Sequence, residues 1–265
     1  MRSILIGLAL VFALVSPGQG QGQNQAPPKI GIVLMHGMRS GSGDPLLGGL
    51  HTALLNAGYL VELPEMCWSY RRVFDESFLD CFADIDAAIA RLKEQGATQI
   101  VIAGHSLGGS AALAYGARHE GLKGIVVMAP APSPDDQMIE VSANLTRAQQ
   151  LIDAGQGDQK ILFTYYSRNQ SGYDLITVFA TPRALLSFDA AHGPSEMTAN
   201  ITALKAPLLW VAGNADGTQA HADEFFAKAP KDPLNLLIKV NADHVGTPQA
   251  AIPAVLDWLG GKLPN

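Results

Sequence analysis

Gly104-His105-Ser106-Leu107-Gly108 follows a short apolar run, Ile100 to Ala103, and opens an Ala-rich stretch, Ser110 to Arg118. This sequence of apolar run, glycine-flanked serine and helix former constrains the fold more than any other segment. The run reads as a buried strand and the Ala-rich stretch as a helix, so the serine falls on a sharp strand-to-helix turn. Gly104 and Gly108 remove Cβ atoms that would collide in such a turn. A bare G-x-S-x-G arises by chance in roughly one chain in ten, judged from average Gly and Ser usage. Its meaning comes from the setting.

The rest of the chain repeats the same rhythm. Apolar runs at Ile30 to Met35, Tyr59 to Leu63, Gly124 to Met128, Pro207 to Ala212 and Leu234 to Val240 read as strands. Helical patterns fall between or after them: Leu46 to Ala57, Phe82 to Gln95 and Pro248 to Leu259. In the second, Phe82, Ile85, Ile89 and Leu92 share one face, and Gly96 stops it. Strands alternating with helices predict an α/β fold, a mostly parallel sheet flanked by helices. From about Pro130 to Lys205 the rhythm breaks. Pro130, Pro132 and Pro134, a helical stretch near Ile139 to Ala154 and an aromatic-rich segment predict a helical cap inserted over the strand ends, with room for a short strand or two.

The 265 residues suit one such domain with an insertion. Its expected extent is 29–265. Residues 1–22 read as a signal peptide: Arg2, then an apolar run from Ile4 to Val15 too short to cross a bilayer comfortably, then small residues and Pro17. Residues 23–28 are a polar leader. The expected location is periplasmic or secreted. No later stretch is long enough for a membrane span. A net charge of −6 with scattered Lys and Arg argues against nucleic acid and anionic lipid as partners. The two cysteines, Cys67 and Cys81, are free to bridge in an exported chain. Spacing does not choose between a disulfide and two thiols that never meet. No His or Cys cluster has metal-ligand spacing, and no cofactor is expected. Asn144, Asn169 and Asn200 each begin a glycosylation triplet, relevant only in a eukaryotic secretory route.

With the elbow in place, the chain resembles the α/β-hydrolase superfamily over its whole mature length. More narrowly, it is similar to small bacterial exported, esterase-like serine hydrolases. The resemblance implies Ser106 as nucleophile and the Leu107 N–H as one oxyanion donor. His36-Gly37 after the first strand implies the Met38 N–H as the second. The His36 ring itself reads as a structural histidine.

A serine needs a base, and the base needs an acid to orient it. Of seven histidines, His244 follows the last strand and precedes the last helix, where this superfamily places its base. His51 and His119 read as helix residues. His105 occupies the variable elbow position and is expected to point away from the nucleophile. His192 and His221 lie in irregular context, with His192 a pocket candidate. Asp216 follows the strand ending at Ala212, which gives the chain order Ser, Asp, His. Asp243 is its rival, though adjacent side chains usually diverge; Asp223 reads as helical.

The implied substrate is a small acyl compound. Ester cleavage through an acyl-enzyme leads, with thioesterase, lactonase, amidase and peptidase chemistry open on the same triad. A non-catalytic binding protein is the reading of another class. Tyr165, Tyr166, Tyr173, Phe179 and Trp68 are candidate pocket aromatics, with core packing the alternative for each. Arg71 and Arg72 are candidate carboxylate contacts or surface residues.

Overall fold

The computed structural model describes residues 29–130, 138–139, 141–169, 172–189 and 193–263. The predicted signal peptide and leader lie outside them. Strands are numbered in chain order. β1 (Ile30–Met35), β2 (Leu60–Glu62), β3 (Gln99–His105), β4 (Gly124–Met128), β8 (Leu208–Gly213) and β9 (Leu236–Val240) form one sheet in the order β2-β1-β3-β4-β8-β9. Every neighbouring pair is parallel. This is an α/β-hydrolase fold.

Side chains alternate across each strand and so divide the core in two. Val33, Met35, Ile102, Val127 and Trp210 face one side, joined by Ile85, Ala88 and Leu92 of α2 (Phe82–Glu94) and Ala111 and Leu113 of α3 (Leu107–Arg118). Ile32, Leu34, Val101, Val126 and Leu209 face the other. There they meet Leu47, Leu50 and Leu54 of α1 (Pro45–Asn56), and Val255 of the closing helix Ile252–Asp257 with Trp258 just beyond it. Burial on both faces makes these strands near-continuous apolar runs. Asp44 starts α1 by accepting from the Leu46 N–H at 2.9 Å, with Pro45 in the first turn.

After β1 the chain moves to one edge and back, then continues outward from β3. The direction of winding reverses between β1 and β3, the place where open α/β sheets hold ligands beyond the strand ends.

The segment between β4 and β8 carries helices, as expected of the insertion, and more strand than the one or two the sequence left room for. It contains β5 (Met138–Ile139), α4 (Val141–Asp153), β6 (Ile161–Asn169), β7 (Gly172–Ala180), α5 (Pro182–Ser187) and α6 (Met197–Thr202). β5, β6 and β7 make a second, antiparallel sheet, with nine residues paired between β6 and β7. Aromatic and β-branched residues favour the strand. The alternation is hidden because Leu162, Leu175 and Phe179 are apolar yet exposed, while Phe163, Tyr165 and Val178 are buried. The buried face joins the α2–α3 side of the core. Among the described residues, no helix is long and apolar enough to cross a membrane.

Candidate active site

Ser106 sits between β3 and α3 with φ 54° and ψ −122°, a conformation L-residues avoid. Close approach of neighbouring backbone holds it there. A Cβ added at Gly104 would lie 2.2 Å from the Gly108 carbonyl oxygen. One added at Gly108 would lie 2.6 Å and 2.7 Å from the carbonyl oxygens of Met35 and His36. The elbow is thus packed against the end of β1, and only glycine fits at either position.

Two other strand ends bring their loops to Ser106. His244, after β9, accepts from the Ser106 hydroxyl through Nε2 at 3.0 Å. Its Nδ1–H donates to Asp216 Oδ2 at 2.7 Å. Asp216, after β8, has a fully buried side chain. Its Oδ1 accepts from the Thr218 N–H at 3.0 Å and the Thr218 hydroxyl at 2.7 Å. Burial pushes the Asp216 carboxyl upward, but the hydrogen bonds from His244 and Thr218 outweigh it and hold the group below its ordinary value. Asp243 turns away and accepts from the Gly246 N–H at 2.8 Å. Asp223 is exposed and pairs with Lys239.

The Gly37-Met38 turn passes over the elbow: a Cβ at Gly37 would lie 3.2 Å from Ser106 Cβ. Arg39, next in line, holds φ 56°. The N–H groups of Met38 and Leu107 donate to no acceptor among the described residues. For Leu107 this is the usual state of the first turn of a helix. The His36 ring is buried and structural. It donates from Nδ1 to the Gly37 carbonyl at 2.8 Å and accepts the Met66 N–H at 3.2 Å. Burial lowers its pKa, opposed by the Gly37 bond.

The loop after β2 braces this turn, and a disulfide between Cys67 and Cys81, Cα atoms 5.6 Å apart, closes the loop. Trp68 is fully buried there. Its indole N–H donates to the His36 carbonyl at 3.0 Å, so it supports the turn from behind. Phe188, which the sequence did not single out, packs edge-on against Trp68, Phe74 and Phe78 and ties the insertion to this loop.

Other candidates fall elsewhere. Tyr165 is buried, and burial raises its pKa. Phe179 is exposed on the insertion's outer face. The Tyr166 and Tyr173 side chains and all of His192 lie outside the described residues. Arg71 is exposed and meets Glu65 at 3.5 Å. Arg72 is half-buried, bridging Asp75 at 3.0 Å and Asp84 at 2.6 Å. His51 lies on α1, His119 stacks on Tyr115 at the end of α3, and His221 is exposed beside Glu224. Asn144 and Asn200 are buried, their amides bonded to the Thr164 and Pro194 carbonyls. Among the described residues, no group of three His, Cys, Asp or Glu side chains could hold a metal.

His105 departs from expectation. Its ring does not turn away but lies against the His244 ring, centroids 4.9 Å apart, and its Nε2–H donates to the His244 carbonyl at 2.9 Å. Thr218 is the second residue that sequence reasoning missed. Asp216-Gly217-Thr218 has the spacing of a side-chain-capped turn, a signal present but not read.

The sheet, the serine at its elbow and the loops that converge on it define the α/β-hydrolase class. Within that class the chain belongs to the family described as "Serine aminopeptidase, S33", which matches residues 69–244. No curated protein matches it. Similar solved structures include a metagenome-derived lipolytic enzyme, 18% identical, covering 87% of this chain and 91% of that one at a TM-score of 0.62. The Paleococcus ferrophilus monoacylglycerol lipase is 21% identical, with coverage of 86% and 93% and a TM-score of 0.62. The thioesterase domain from the curacin biosynthetic pathway is 15% identical, with coverage of 86% and 90% and a TM-score of 0.55. At these identities the likeness is one of fold.

Proposed function

We propose that the chain is a serine hydrolase that cleaves a carboxylic ester through an acyl-enzyme, with Ser106, His244 and Asp216 as its triad. The observation that carries this reading is the unbroken hydrogen-bonded series from Ser106 Oγ through both His244 nitrogens to Asp216. Its polarity suits the chemistry. Asp216 is held as a carboxylate, so Nδ1 keeps the proton and Nε2 is free to accept one.

Ser106 Oγ attacks the acyl carbonyl and passes its proton to His244 Nε2. Asp216 steadies the imidazolium. The N–H groups of Met38 and Leu107 hold the oxyanion, and losing one such donor typically costs about 2.7–4 kcal/mol. His244 then returns the proton to the leaving alcohol. A water, deprotonated by the same nitrogen, attacks the acyl-enzyme; the acyl–Oγ bond breaks as His244 returns that proton to Ser106, and the acid is freed.

The triad would also serve thioesters, lactones and amides, and the family's description includes an aminopeptidase. A fluorophosphonate probe followed by mass spectrometry tests the serine. Labelling at Ser106, absent in Ser106→Ala, supports the reading; a folded chain that takes no label overturns it. An ester, thioester, lactone and amide panel then ranks the bond cleaved. Export to the periplasm or medium is part of the proposal. It draws support from Arg2 with the apolar run Ile4 to Val15, and from a disulfide that reducing cytosol disfavours.

A further inference from the structure

His105 is a polar side chain 3% exposed at the centre of the elbow, and the chemistry above gives it no part. Its Nε2–H makes one hydrogen bond, to the backbone carbonyl of His244, 139 residues away in the chain. Its Nδ1 is buried with no partner among the described residues, on the side of Gly37. Burying an imbalanced imidazole costs free energy, so the bond it does make must matter to the loop that receives it.

The His244 loop needs that bond. Around His244 the backbone is tied on both sides: Ala215 N–H donates to the Ala242 carbonyl at 3.0 Å, and Thr247 N–H to the Asp243 carbonyl at 3.1 Å. The carbonyl of His244 lies one residue further on, where a helix would supply the N–H of residue 248. That residue is Pro248, which has no N–H. His105 supplies the missing donor from the end of β3.

We infer that His105 is a positioning residue: by holding the carbonyl of His244 it fixes the backbone from which the catalytic imidazole reaches Ser106. This rests on the triad reading above. His105 sits beside Ser106 in sequence, so the elbow that presents the nucleophile also anchors the base. A displacement of about 1 Å between reacting groups costs on the order of 100-fold.

The test compares three substitutions in the full chain. In His105→Gln the side-chain amide reaches the position of Nε2 and restores the donor. In His105→Asn it falls short, and in His105→Leu no donor remains; Leu stands in if Asn does not fold. Steady-state turnover of an ester that the wild type accepts is measured with each, alongside the fluorophosphonate labelling rate and melting temperature. Gln should keep kcat within about fivefold. Asn and Leu should lose about 10- to 100-fold in kcat and labelling rate, with KM within about threefold. Equal activity in Gln and Leu, whether high or low, overturns the inference. So does a loss that appears in KM alone. Failure of the triad reading shows separately, as ester turnover retained by Ser106→Ala.

Discussion

Thr218 holds one oxygen of the Asp216 carboxylate from two sides, through its N–H at 3.0 Å and its hydroxyl at 2.7 Å. The other oxygen is left for His244. Thr218→Val keeps the shape and the N–H bond but removes the hydroxyl. A hydrogen bond to a charged group contributes about 1.5–3 kcal/mol. We therefore expect kcat/KM on an accepted ester to fall by about 10-fold or somewhat more. Asp216→Asn should fall by about 10⁴-fold, because the histidine then takes the wrong tautomer. Wild-type kinetics in Thr218→Val would mean that the backbone alone orients the acid.

Stability should decline with acid before the carboxylates titrate. Burial, reinforced by neighbouring His244, lowers the pKa of His105 from 6.5 to about 4. Between those values the unfolded chain binds a proton that the native one does not. Stability from this source is complete above about pH 6.5 and is lost as pH falls toward 4. The full loss is about 3 kcal/mol. His36, also lowered by burial, acts with the same sign. The depressed Asp216 adds a loss at lower pH, as it protonates. Urea midpoints from pH 7.5 to 4 should fall for the wild type and fall less steeply in His105→Gln, where His36 alone remains of the two. Parallel curves for the two proteins would remove His105 as the source.

The glycines of the elbow differ from those of the helices in what their neighbours can do. At Gly108 an added methyl meets the carbonyl oxygens of Met35 and His36, backbone that cannot rotate aside. At Gly116, on α3, it meets Cδ1 of Ile125, the tip of a side chain. Gly108→Ala should cost about 3 kcal/mol or more, and Gly116→Ala less, as the isoleucine changes rotamer. Thermal melts of the two variants measure the difference. An equal loss would show that β1 yields to the elbow.

What the sequence made legible follows from where burial is symmetric. The runs at 30–35, 100–103, 124–128 and 207–212 are apolar throughout because helices cover both sheet faces, and such runs stand out. The hydrogen-bonded set of Ser106, His244 and Asp216 was legible because each member follows a strand, in the order the superfamily resemblance implies. The hairpin of β6 and β7 was not, because Leu162, Leu175 and Phe179 put apolar residues on its exposed face and erase the two-residue period. Trp68 reads from the sequence as a pocket aromatic or a core residue, because nothing local marks an indole as a buttress; its partner, the His36 carbonyl, is 32 residues away. His105 depends on a contact across 139 residues, which no local pattern records.

Behind the Gly37-Met38 turn lies a brace formed by the loop after β2. Four hydrogen bonds join it to the turn: Arg39 N–H to the Trp68 carbonyl at 2.9 Å, Tyr70 N–H to the Ser40 carbonyl at 2.9 Å, the Trp68 indole to the His36 carbonyl and Met66 N–H to His36 Nε2. The Cys67–Cys81 bond closes the loop that carries the brace. For a loop of this size the chain-entropy model assigns the disulfide about 3 kcal/mol. Reduction with dithiothreitol, or Cys67→Ser with Cys81→Ser, should lower the melting temperature accordingly. Trp68→Phe separates positioning from stability. It keeps an aromatic ring in the core but removes the donor to the His36 carbonyl, one peptide from the Gly37-Met38 turn, together with the indole's second ring. We expect kcat to fall about 10-fold while stability drops by about 1–2 kcal/mol. A Trp68→Phe protein with wild-type kcat would leave the brace a purely structural element, with no hold on the proposed oxyanion site.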